Sequence, residues 1–300
     1  MTPIDKPGIY PLVTAEDYHK DCVASPSLSS TIAKMLVAKS PAHARLAHPK
    51  LGGAVEAGDD EAADPSASKA KALGELIHRL VLGKGAEIVV IDADSWRTNL
   101  AKAQRDAALA AGKIAVLAHK LPEAQAAADA ARKQLDDMGL SRVFRDGMKE
   151  VVLVWEQAGT WFRAMADNII IDENSKTAEI FDLKTTGKSS HPEACANQID
   201  KLGYDLSLEF YHRLLIGLRP ELAGRVKRRW VFVETAAPFA TTPVYISAEW
   251  EMSGSMKCDK AIALWRRCME TGKWGFYVDG LTRLDPKPWM IADMLAQEAE

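Results

Sequence analysis

The sequence predicts an α/β protein in which a central mixed sheet is flanked by helices. Three apolar segments with strand-like composition follow one another between residues 150 and 186. Segments with the apolar spacing of helices lie on both sides of them along the chain. A sheet must bury its apolar faces, and covering helices are the usual way to do so. No repeat at a solenoid or propeller period suggests a different architecture.

Residues 1–51 are predicted to form an N-terminal helical segment packed on the core. The segment 27–37 begins with serines, which favour helix capping, and Pro41 is predicted to end the helix. Its apolar residues have the spacing of one helix face: Leu28, Ile32, Met35 and Leu36. Residues 52–68 are mostly Gly, Ala, Asp and Ser, so they are predicted to form a flexible loop.

The predicted core domain spans residues 69–285, and residues 286–300 are predicted to be a C-terminal tail. A helix over 69–82 carries His78, and two Ala-rich helices are separated at Gly112. The remaining elements form an α/β pattern, with the first three strands as an antiparallel meander. The predicted Ala-rich helices cover 96–110 and 122–138; the strands cover 150–156, 161–171, 177–186, 229–234 and 242–249; the later helices cover 192–218 and 253–271.

Composition excludes several classes of protein. The chain has neither an apolar run of membrane-spanning length nor a signal-like N-terminus, so we expect no membrane association and a cytoplasmic location. Its four cysteines include no C-x-x-C pair, which argues against zinc sites and disulfide frameworks. The net charge of −3 neither supports nor excludes nucleic-acid binding, because the clustering of basic residues matters more than their sum.

Candidate chemistry lies on the second and third predicted strands. Asp182 and Lys184 are two residues apart, so a strand presents both side chains on one face. Asp167 lies on the preceding strand and comes opposite Asp182 in a hairpin closed near residue 172. Paired carboxylates supply the hard oxygen ligands that Mg²⁺ prefers, and a nearby lysine can orient a water molecule.

A D-x-K triplet is more often an exposed ion pair on a strand than a catalytic group. Here the neighbours are apolar, with Phe181 and Leu183 around the aspartate and a run of isoleucines after Asp167. Such strands are expected to be buried, and a buried carboxylate requires a partner or a metal ion. The setting therefore favours a functional site.

An ordered set of motifs resembles the RecE-type exonuclease VIII family. This family is a phage and prophage branch of the PD-(D/E)XK nucleases and is related to the RecB nuclease domain. The resemblance covers residues 26–235, including an upstream P-S-L-S-S segment. Its motifs are G-x-x-x-H at 74–78, Glu150 at a strand start, R-x-x-x-D at 163–167, D-L-K-T-T at 182–186 and an aromatic helix motif at 203–211.

The resemblance implies a restriction-endonuclease-like core with a divalent metal site. It makes His78, Asp167 and Asp182 metal ligands, together with the carbonyl of Leu183. Lys184 would orient the attacking water, and Glu150 would support a second metal ion or its water. The implied ion is Mg²⁺, for which Mn²⁺ substitutes.

The resemblance also implies an activity and partners. The activity is 5′ to 3′ degradation of linear double-stranded DNA from its ends, in phage-type recombination in the cytoplasm of a bacterial host. The implied partners are a single-strand annealing protein and further copies of this chain in a homo-oligomer. One departure is Ser207, which stands where related nucleases often have a glutamine.

Alternatives stay open at this point. A Cas4-like or other end-processing nuclease shares the metal residues, but Cas4-like proteins cluster cysteines around an iron–sulfur cluster. A non-catalytic DNA-binding phage protein that retains the fold is the alternative outside the enzymes. By itself, His78 could be a hydrogen-bonded core residue and Glu150 a solvated one. The candidate DNA-contacting residues are Arg142, Arg145, Lys149, Arg225, Lys227, Arg228 and Arg229, although such runs are usually solvated turns.

Overall fold

A computed structural model describes residues 2–52 and 65–297 of the chain. The strands are β1 (Gly8–Tyr10), β2 (Ser27–Ser29), β3 (Ile88–Ile91), β4 (Ile114–Leu117), β5 (Met148–Gln157), β6 (Thr160–Asp172), β7 (Thr177–Thr186), β8 (Val226–Glu234) and β9 (Thr241–Tyr245). The helices are α1 (Ala15–His19), α2 (Ser30–Ala38), α3 (Pro41–Ala47), α4 (Pro65–Leu82), α5 (Asn99–Ala110), α6 (Leu121–Asp137), α7 (Pro192–Leu202), α8 (Tyr204–Leu218), α9 (Ala248–Thr271) and α10 (Pro288–Gln297).

The central sheet has the strand order β1-β5-β6-β7-β8-β9, with β2 also paired to β6. The β7–β8 and β2–β6 pairs are parallel and the others are antiparallel, so the predicted mixed sheet is confirmed. The predicted meander of β5, β6 and β7 is also present. Strands β3 and β4 form a separate parallel pair.

Helices cover both faces of the sheet. Because side chains alternate along a strand, Ile180 faces one apolar core while Phe181 and Leu183 face the other. The first core is closed by α2, α7, α8 and α9, and the second by α4 and α6. A smaller core lies where the N-terminal segment meets β5.

The N-terminal segment is tied to the sheet by a buried ion pair. The guanidinium of Arg163 on β6 lies 3.2 Å from Asp21 and donates to the carbonyl and hydroxyl oxygens of Ser27. His48 lies 3.4 Å from the same aspartate and its ring nitrogen contacts the carbonyl of Ser27. Arg163 of the R-x-x-x-D motif therefore has a structural role.

Several element boundaries differ from the prediction. Ser29 caps α2 by accepting from the backbone N–H of Ile32, so the residues before it pair with β6 instead of extending the helix. Pro41, expected to end a helix, begins α3. Helix α4 starts at Pro65, so residues 65–68 of the predicted loop are helical, and residues 53–64 lie outside the described residues. Elements β1, α1, β3, β4 and α10 were not predicted.

The predicted helix over 192–218 is two helices. Gly203 separates them with a φ of +62°, a left-handed conformation that ends α7 and begins α8. Strand β9 also stops at Tyr245, because the chain enters α9 at Ala248.

In the part of the chain that the structure describes, no helix is long and apolar enough to cross a membrane. The four cysteines are free and buried.

Candidate active site

Three carboxylates occupy successive positions in a row across β5, β6 and β7. The hydrogen-bonded ladder between β6 and β7 ends at Asn168 and Phe181, and Asp167 and Asp182 are the next residues in that register. Glu150 lies opposite Asp167 in the register of β5 and β6. The predicted juxtaposition of the two aspartates is therefore present where their strands separate.

Asp167 is held by a backbone group and by a histidine. Its Oδ2 accepts a hydrogen bond from the N–H of Leu183 at 2.6 Å, and it lies 3.2 Å from Nε2 of His78. Burial alone would raise the pKa of Asp167, but the neighbouring His78 holds it below its usual value. Burial alone would lower the pKa of His78, but Asp167 raises it. The two groups therefore stabilise each other as an ion pair.

The G-x-x-x-H spacing has a steric explanation. Helix α4 packs on β7, and a Cβ at Gly74 would lie only 2.6 Å from Oγ1 of Thr185. A side chain there would require Thr185 or the helix to shift. His78 is one turn further on the same helix face and so reaches Asp167.

Asp182 and Lys184 form a buried pair with 2.6 Å between Oδ2 and Nζ. Because Asp182 is 1% exposed, the alternative of an exposed ion pair on the strand surface is wrong. Burial raises the pKa of Asp182, and nearby Asp167 adds to the rise. Burial alone would lower the pKa of Lys184, but Asp182 and Asp167 raise it well above its usual value. The two carboxylates therefore favour the charged form of Lys184.

Glu150 has an unusual backbone conformation. Its φ is +43°, in the left-handed region that residues with side chains rarely adopt. A Cβ at Gly85, whose φ is +120°, would lie 2.8 Å from Oε1 of Glu150, so this loop approaches the carboxylate closely. Burial raises the pKa of Glu150, which is neither fully exposed nor fully buried.

The facing pattern of the strands shifts at this row. Met148 and Val151 contact the same core although they are three residues apart, and so do Ala166 and Ile169 on β6. Regular alternation would send one member of each pair to the opposite face. The shift lies beside Glu150 and Asp167, so the irregular backbone is confined to the carboxylate row.

Two residues near Lys184 gave no clear chemical signal in the sequence. The Lys184 ammonium lies over the ring of Tyr204, and Lys34 of α2 approaches the same ring at 5.6 Å. The Lys34 stem passes over Gly203, where an added Cβ would be 3.2 Å from its Cδ. Tyr204, which lies in the aromatic helix motif at 203–211, also packs against Phe232.

Tyr211 and Ser207 lie further along α8. Both are buried. Burial raises the pKa of Tyr211, and the hydroxyl of Ser207 donates to the carbonyl of Gly203 within the helix turn.

The donor set fits a hard divalent cation. Three carboxylates lie along the row and the imidazole of His78 contacts one of them, and carboxylate oxygens are preferred ligands of such ions. Oδ2 of Asp182 is buried and accepts no directed hydrogen bond, although Lys184 is adjacent. Among the described residues, no three ligating side chains converge into a formed metal cluster. Instead His78 contacts Asp167 and Lys184 contacts Asp182, so ion binding would exchange these contacts.

Part of the predicted basic surface is already neutralised. The Arg228 side chain is 8% exposed and forms ion pairs with Glu209 and Glu251, and Arg229 forms one with Glu179. These two arginines are therefore partnered in this structure, and their contact with phosphates stays a prediction. Their acidic partners lie on other elements, which the local sequence could not indicate.

The chain matches a known protein family and resembles a solved structure. Residues 50–280 match the model of a family described as a PDDEXK-like domain of unknown function (DUF3799). A crystal structure of a “putative exonuclease” from Eubacterium rectale aligns with a TM-score of 0.56 at 13% identity, covering 95% of this chain and 98% of that one. At that identity the likeness shows a shared fold.

A second solved structure, that of SSO0001, covers 70% of this chain and 96% of its own at 15% identity, but its TM-score of 0.25 supports no conclusion. No curated protein matches the sequence.

Proposed function

This chain belongs to the PDDEXK-like domain family, and on that premise we propose that it is a metal-dependent deoxyribonuclease. The substrate is linear double-stranded DNA, degraded from its ends in the 5′ to 3′ direction. The observation that carries the proposal is the row of Glu150, Asp167 and Asp182 with Lys184 beside it. Polar groups are concentrated there on strands that are otherwise apolar.

His78, Asp167, Asp182 and the Leu183 carbonyl would hold Mg²⁺, with Mn²⁺ as a substitute and Glu150 as a supporting acid. When bound, the ion would neutralise negative charge that develops on the phosphate. The residues themselves supply hard oxygen donors and one imidazole nitrogen.

Lys184 supplies a fixed positive charge beside the reacting phosphate. The neighbouring carboxylates favour its protonated form, in which it donates hydrogen bonds to a water molecule or a phosphate oxygen. In the hydrolysis the water oxygen bonds to phosphorus and the bond to the leaving oxygen breaks. The water loses one proton to solvent or a carboxylate, and the leaving oxygen gains one.

The wider setting of the proposal rests on the resemblance to RecE-type exonucleases. It comprises phage-type recombination in a bacterial host, cooperation with a single-strand annealing protein and assembly into a homo-oligomer. The four free, buried cysteines do not favour a Cas4-like iron–sulfur protein. A non-catalytic DNA-binding protein is less favoured because Asp167, Asp182 and Lys184 are retained in contact-forming positions.

The test uses linear duplex DNA labelled at either 5′ or 3′ termini. With Mg²⁺ we expect mononucleotides or short products to appear first from the 5′ label, and EDTA to abolish their release. A covalently closed circle is the matched control and should stay intact. Binding without cleavage under all metal conditions would favour the non-catalytic alternative.

A further inference from the structure

We propose that a basic cleft beside the carboxylate row binds backbone phosphates of the DNA strand. The cleft is lined by three cationic residues, Lys84, Arg145 and Lys149. This inference rests on the proposed nuclease function and names where the substrate strand lies next to the active site.

The cleft is an open cavity of about 500 Å³ between the loop after α4 and the start of β5. Its lining residues include the three cations and no acidic side chain. Gly83 and Gly147 also line it, and both have positive φ values. The glycines leave room for a DNA strand to approach, and the cations can neutralise its phosphates.

Lys84 is fixed in place before any ligand binds. Its ammonium donates to the carbonyls of Pro11 at 2.8 Å and Lys149 at 2.7 Å. An ammonium has three N–H donors, so one is left for a phosphate oxygen. Because the side chain is already ordered, ligand binding costs less conformational entropy than it would at a free surface lysine.

The cleft adjoins the carboxylate row along the chain and in space. Lys149 directly precedes Glu150, and Lys84 directly precedes Gly85, which approaches the Glu150 carboxylate. A phosphate bound in the cleft would therefore lie next to the Glu150 end of the carboxylate row.

The placement of the other basic residues also favours this cleft as the phosphate site. A chain of net charge −3 must gather its cations locally to hold a polyanion. Three of the cations predicted or found near the carboxylate row line this cleft, and Arg228 and Arg229 do not. Arg145 bonds to Asp136 through one terminal nitrogen, at 2.5 Å, and an arginine has five N–H donors in all.

The test measures binding of duplex DNA to the full chain in EDTA, where cleavage cannot occur, over a series of salt concentrations. Lys149→Met and Lys84→Met should each weaken binding and make the salt slope shallower by about 1, because each variant removes one cation that neutralises a phosphate. The matched control is Lys260→Met, an exposed lysine on α9, which should behave like wild type.

A second measurement separates this inference from the proposed function. Hydrolysis of bis(p-nitrophenyl) phosphate by the wild-type protein tests the nuclease function without the cleft, because this compound has one phosphodiester and no neighbouring phosphates. If wild type cleaves neither substrate, the nuclease function fails. If it cleaves both and Lys149→Met keeps wild-type DNA affinity and salt slope, the cleft is not a phosphate site. Because Lys84 also holds two carbonyls, Lys149→Met decides the matter if Lys84→Met unfolds.

Discussion

The ammonium of Lys184 lies 4.7 Å from the centre of the Tyr204 ring. The same nitrogen is 2.6 Å from Asp182, so a ring face and a carboxylate together hold it. Gly203 places Tyr204 at the first position of α8. The helix break that the sequence did not predict therefore positions a side chain beside the central lysine.

Replacing Tyr204 should separate the effect of the ring from that of its hydroxyl. Tyr204→Phe keeps a face for the ammonium and should retain most activity. Tyr204→Leu removes the aromatic ring and should lower the single-turnover rate about tenfold. This factor corresponds to the roughly 1–2 kcal/mol of a partly desolvated cation–π contact. Equal losses in both variants would show that the hydroxyl matters instead.

Asp167→Asn and Asp182→Asn should abolish DNA cleavage and weaken Mn²⁺ binding measured by calorimetry. Losing a metal ligand should cost more than the roughly 10- to 100-fold that loss of a supporting residue costs. Asp106→Asn, an exposed position on α5, is the control. Near wild-type cleavage by either variant would contradict the assigned site.

The stability of Asp182→Asn should also fall. The substitution leaves the partly exposed ammonium of Lys184 without its nearest carboxylate, and because Asp167 remains nearby the loss should be less than the roughly 3 kcal/mol of a fully buried pair. Asp182→Asn combined with Lys184→Met should recover part of the loss in thermal or urea unfolding. No recovery would mean that the pair contributes little to folding.

Lys184→Arg should abolish DNA cleavage, and we expect the same of Lys184→Ala. Arginine keeps the charge, but its planar guanidinium is larger and cannot occupy the compact position between Asp182 and Tyr204. Rates should be compared at saturating metal with DNA binding measured in parallel. An active Lys184→Ala variant would show that the ammonium is dispensable.

A buried acid on α8 should make stability depend on pH. Burial alone would raise the pKa of Glu209, but hydrogen bonds from His212 and Arg213 lower it, and Arg228 contributes charge. A lowered folded-state pKa stabilises the protein above the unfolded value, and the gain is lost as the pH falls through the folded value.

Glu209→Gln should therefore be less stable than wild type by about 3 kcal/mol near neutral pH. The difference should shrink below about pH 4.3, the ordinary pKa of glutamate, and disappear below the folded-state pKa. Urea unfolding at several pH values measures it, with exposed Glu270→Gln as control. A difference that does not change with pH would contradict the proposed electrostatic origin.

The placement of the central side chains could be predicted because it depends on local periodicity. Two-residue spacing places Asp182 and Lys184 on one face, and the turn near residue 172 sets the register that brings Asp167 opposite Asp182. Both properties are contained in a short stretch of sequence. The mixed sheet followed from the same alternation.

Long-range partners could not be predicted in this way. Arg228 resembles a free basic residue until α8 and α9 bring Glu209 and Glu251 to it. Lys84 has no distinctive neighbours in sequence, and only folding places it against Pro11 and Lys149. Gly203 was missed because helix propensity tolerates a single glycine, whereas its left-handed conformation depends on the tertiary structure.

The left-handed backbone at Glu150 lowers the stability of the fold, whereas the carboxylate at this position contributes to the proposed site. A side chain at φ +43° costs of order 1 kcal/mol or more, whereas glycine adopts such a conformation without strain. Glu150→Gly should thus raise the melting temperature while removing the third acid of the row. Directed evolution that selects only for heat resistance should therefore replace Glu150. The selected variants should have a higher melting temperature and a lower nuclease activity.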